Sequence, residues 1–268
     1  MLNEFEININ KQAKILVVGK SKGAKIYSYY RDLKNNYLVN AIKFFNARAE
    51  FITDITSQKS VKKEKLEILR TLIRGLMEIY SRILFIKNSD EKEVIKRIVG
   101  DTVYTAALLG NKISKPVELA YEANQIAGHD LPEFEVLCEW VSASNSKPES
   151  QDLRDFKRKF RFPPVKVVVN KYYQSGEESP IVKENFIYFY SIFSEQIHSN
   201  FYFEMNLKND KYNPKYQLLA ILIVIHLKFL KLTNELSGSN YTNKIELLIK
   251  EFLEFRTKAF ELWMVSKS

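Results

Sequence analysis

The chain has 268 residues, 46% hydrophobic and 13% aromatic, with 18 Phe and 15 Tyr, which excludes a disordered chain and allows a substantial buried core. Only 8 Gly and 7 Pro punctuate it, few for an all-β or loop-rich protein, and the single cysteine, Cys138, excludes an internal disulfide and a Cys-rich zinc site. The net charge of +9, from 41 Lys and Arg against 32 Asp and Glu, permits contact with RNA or another anionic partner, although Lys-rich composition also arises without any binding role.

Residues 1–23 read as an N-terminal extension. FEINI and KILVVG look like short strands around a basic turn, so a small β element is expected there. The start, MLNEFEININ, has no basic segment followed by an apolar core, and no signal peptide is expected. ILVVGKS does not complete the phosphate-binding G-x-x-x-x-G-K-[ST] pattern, because Lys14 stands where the first Gly is required. From Ala24 to about Thr56 the pattern turns helical, with Tyr30, Leu33, Tyr37, Ala41, Phe44, Phe45 and Ala49 on one side.

Val61 to Lys87 forms the most apolar amphipathic pattern in the first half. Leu66, Leu69, Ile73, Leu76, Tyr80 and Ile83 recur at steps of three and four, and Leu72, Ile79 and Ile86 widen the face. What remains is a narrow polar stripe of Arg70, Arg74, Glu78 and Arg82, each four residues from the next. Such a helix is expected to be central, its stripe meeting either water or a polar site inside the bundle.

Asn88-Ser89-Asp90 reads as a turn, with Ser89 or Asp90 capping the helix EKEVIKRIVGDTVYTAALLG. Pro116 and Pro132 suit the first turns of PVELAYEANQIAG and LPEFEVLCEWVSAS. In DLRDFKRKFRF the basic residues Arg154, Lys157, Arg158, Lys159 and Arg161 interleave with Phe156, Phe160 and Phe162. That pattern suits phosphate contacts with aromatics stacking on bases; it equally suits an amphipathic helix end with its Phe residues inward and its charges solvated.

PPVKVVVNKYY is ambiguous. Three consecutive valines favour a strand, and the Pro pair with Val165, Val168, Val169 and Tyr172 at helical spacing favours a helix, the choice made here. Pro180 opens a helix packed through Phe186, Phe189 and Phe193, with Tyr190, Ser194 and His198 as an adjacent stripe at i, i+4 and i+8. Asn213-Pro214 starts another to about Leu236. Its longest apolar run, Leu218 to Ile225, is too short to cross a bilayer, so a buried helix and a cytoplasmic protein are expected. Gly238 breaks it, and Thr242 or Asn243 is expected to cap the last helix.

Two polar stripes on mostly apolar helices are the best chemical lead. Arg74 and Glu78 on one, and Ser194 and His198 on the other, stand where apolar residues would serve better if nothing polar were needed. A carboxylate beside an imidazole orients it and raises its proton affinity, the arrangement acid–base chemistry uses; an i, i+4 Arg–Glu pair is also an ordinary helix pair. RTLIRGLMEIYSRILFI, with its R-x-x-x-E turn, and FYSIFSEQIHSN, with S-x-x-x-H, together resemble an uncharacterised bacterial all-helical family carrying an Arg/Glu helix and a distal Ser…His helix. More loosely, the chain is similar to the HEPN-type helical domains of RNA-cutting toxins and phage-defence systems. The resemblance spans roughly residues 40 to 205 and implies an all-α fold. Those ribonucleases place an Arg four to six residues before a His, and none of His129, His198 or His226 has one.

The expected architecture is all-α: a single helical bundle of about eight to ten helices, one domain over residues 1–268. The leading functional expectation is a bacterial protein of toxin or antiviral defence type that binds or cleaves RNA, with Arg74, Glu78, Ser194 and His198 as the catalytic cluster and Arg154, Lys157, Arg158, Lys159 and Arg161 as the nucleic-acid contact. The competing expectation is a non-catalytic helical interaction or regulatory module with a structural polar core, and an unrelated hydrolase is a third. No cofactor is expected. Three widely spaced His without a paired motif such as H-E-x-x-H give little basis for a metal. A homodimer is left open.

Overall fold

The structure is a computed structural model that describes residues 22–58, 62–91, 93–98, 100–101, 160–173, 181–197 and 214–265, with residues 7 and 158. Among the described residues every regular element is a helix and no strand occurs. Six helices have defined bounds: α1 (Lys22–Ser57), α2 (Lys63–Asn88), α3 (Val165–Tyr172), α4 (Ile181–Ile197), α5 (Pro214–Ser237) and α6 (Thr242–Val265). Further helical turns cover 93–98. Of the expected β element near the N-terminus only Ile7 is described, and it is helical; the rest of it, the helices opened by Pro116 and Pro132, and Cys138 lie outside the described residues. None of the described helices is long and apolar enough to cross a membrane.

The chain divides into two compact units. One takes in Met1–Gln12, Ala41–Tyr80 and Ser179–Ser268, the other Ala13–Asn40 and Ser81–Glu178. In the first, the alternation of three and four along α1 and α2 turns Ile42, Phe45, Ala49 and Ile52 inward, and likewise Leu69, Ile73, Leu76 and Met77. Phe229 of α5 stacks on Phe45, with centroids 3.7 Å apart and planes 4° apart. Tyr80 meets Phe186 of α4 at 5.7 Å. The long apolar run of α5 is a core helix, with Leu218, Leu222, Ile225 and Phe229 buried.

Phe44 departs from the sequence pattern. It stands beside Phe45 and was expected on the same side, yet it is 62% exposed while Phe45 is 0%. Adjacent helical positions lie about 100° apart, so only one of the two can follow the seam, and Ile42, Phe45, Ala49 and Ile52 define it.

In the second unit the core comprises Leu38 and Val39 of α1, Ile83, Phe85 and Ile86 of α2, Val94, Ile95 and Ile98, Phe160, and Val165, Val168 and Val169 of α3. The 164–173 segment is helical. Pro164, with φ −54° and ψ 145°, sits just before α3, and Val165, Val168 and Val169 are its buried residues, so burial at helical spacing outweighs the strand preference of three valines. Asp90 caps the turns that follow α2, its Oδ1 accepting from the Glu93 N–H at 2.9 Å.

Gly238, at φ 61°, turns the chain between α5 and α6. Buried Asn234 holds that turn: its Oδ1 accepts from the Tyr241 N–H at 3.1 Å and its Nδ2 donates to Thr242 Oγ1 at 3.2 Å. Thr242 is therefore the first residue of α6, anchored by Asn234, and Tyr241 supplies the carbonyl for the Ile245 N–H.

Candidate functional site

The polar stripe of α2 divides between the two units. In the first, Arg70 pairs with Glu67 one turn away. Arg74 Nη2 lies 3.1 Å from Glu78 Oε1, an i, i+4 pair. The stripe of α4 arrives at the same carboxylate: Tyr190 donates its hydroxyl to Glu78 Oε1 at 3.2 Å. The Arg74 guanidinium also lies 5.7 Å from the Tyr190 ring centroid. Glu78 thus accepts from one group on its own helix and one on α4, and Arg74 touches both. Ser194, one turn beyond Tyr190, donates its hydroxyl to the Tyr190 carbonyl at 2.6 Å. His198 lies outside the described residues. Of the four residues expected to form a catalytic cluster, Arg74 and Glu78 are in contact, whereas the Ser194 hydroxyl is bonded to the main chain of its own helix.

Arg48 of α1 joins this region by a route the sequence does not advertise. Its guanidinium lies against Gly75, where an added Cβ would sit 3.4 Å from Arg48 Cζ and Nη1. That is ordinary contact distance, and it places Arg48 on α2 one residue from Arg74.

The second unit holds a denser network around Arg82. Arg82 Nη1 donates to Asp101 Oδ2 at 3.1 Å and to the Tyr37 hydroxyl at 3.3 Å. Arg161 Nε donates to the other carboxylate oxygen of Asp101 at 2.7 Å. One carboxylate therefore joins two guanidiniums, with Asp101 15% exposed and the arginines 34% and 25%. Arg97 donates to Glu93 at 2.6 Å and to the main-chain carbonyls of Arg158 and Arg161 at 2.8 and 2.7 Å. Burial pushes the Tyr37 phenol above its ordinary pKa, against the opposing pull of the adjacent Arg82, so Tyr37 stays protonated.

This network accounts for part of the basic segment. Arg161 belongs to the Asp101 pair, and Phe160 is buried. Phe162 stacks with Tyr37 at 5.5 Å, meets Phe85 edge-on at 5.8 Å and lies beneath Arg82 at 5.3 Å. Arg158 is exposed. Arg154, Lys157, Lys159 and Phe156 lie outside the described residues. Asp101, Tyr37 and Arg97 were not anticipated from sequence. The available signal was Gly100-Asp101, a small residue and an acid inside an amphipathic helical pattern.

Among the described residues no group of three or more His, Cys, Asp or Glu side chains is arranged to hold a metal ion. The geometry there is one of intramolecular pairing, in which each charged member of the α2 stripe has a carboxylate or cation beside it. No protein-family model matches the chain, and neither a curated protein nor a solved structure matches it.

Proposed function

We propose that the protein is a non-catalytic helical interaction or regulatory module, a bundle of eight to ten helices acting in the cytoplasm, whose polar stripes hold its helices in register. The observation that carries this reading is the pairing along α2. Arg70 with Glu67, Arg74 with Glu78 and Tyr190, and Arg82 with Asp101 and Tyr37 occupy the whole stripe.

A second reading is favoured by the meeting of the two stripes at Glu78 and Tyr190 and by the net charge of +9. It is a toxin or phage-defence protein of HEPN-like type, binding or cleaving RNA through Arg74, Glu78, Ser194 and His198, with Arg154, Lys157, Arg158, Lys159 and Arg161 on the phosphates. Expression of the intact gene beside its His198→Ala variant separates the two. The module reading predicts identical growth and no loss of a labelled short RNA incubated with the purified protein. Toxicity or RNA cleavage relieved by His198→Ala would establish the second reading instead.

A further inference from the structure

We draw no further inference here: the strongest candidate, the exposed Phe44 and Phe51 patch on the outward face of α1, carries none, because nothing in the structure shows what covers it.

Discussion

Gly100 shows how tightly single positions are set in the second unit. An added Cβ there would lie 2.6 Å from Phe160 Cβ and 2.8 Å from its carbonyl carbon, and nearest of all to its carbonyl oxygen. Backbone cannot yield as a flexible side chain does, so Gly100→Ala is expected to cost about 1–3 kcal/mol through overpacking, despite the better helix propensity of Ala. Chemical denaturation reads this as a lower midpoint. The adjacent Asp101 joins two guanidiniums that are two-thirds or more covered. Asp101→Asn should cost about 1–3 kcal/mol, because Arg82 and Arg161 then face each other without the shared charge. His226 of α5 gives a pH signature. Its ring meets Phe45 edge-on at 5.5 Å, and burial lowers its pKa from the ordinary value. The unfolded chain therefore takes up the proton more readily. The stability this neutral histidine contributes is complete above about pH 6.5 and is lost as the pH falls below that. Urea midpoints at pH 7.5 and 5.0 should differ in that direction, and His226→Gln should reduce the difference.

At the scale of elements, periodicity carried most of the information. The helix α2 was legible because its apolar arc exceeds half the circumference, and α5 because Leu218, Leu222, Ile225 and Phe229 repeat at helical spacing. Leu222→Asp places a charge at a position 3% exposed and should prevent soluble expression, since burial of such a side chain is worth about 1.5–3 kcal/mol and an unpaired buried carboxylate adds a further cost. What the sequence left undecided were matters that local pattern does not determine. The valines of α3 fit a strand or a helix until their burial partners are known. Phe44 and Phe45 are chemically alike, and only the packing of Phe45 on α5 distinguishes them. Among the site residues, the Arg74–Glu78 pair follows from i, i+4 spacing alone. Asp101 with Arg82 and Arg161, by contrast, joins groups 19 and 60 residues apart, a separation that no periodicity encodes.

For the whole molecule, the proposed reading makes the polar stripes of α2 and α4 structural. Residues kept for chemistry commonly cost stability, so replacing them is neutral or stabilising, whereas residues that join helices lose stability when cut. A double-mutant cycle of Glu78→Gln and Tyr190→Phe in denaturant unfolding measures this at a point where the two stripes touch. With the hydroxyl 3.2 Å from the carboxylate at a partly exposed site, the account predicts that each single change destabilises and that the pair is coupled by about 0.5–1 kcal/mol. A coupling of zero, or a Glu78→Gln protein more stable than the parent, would contradict it.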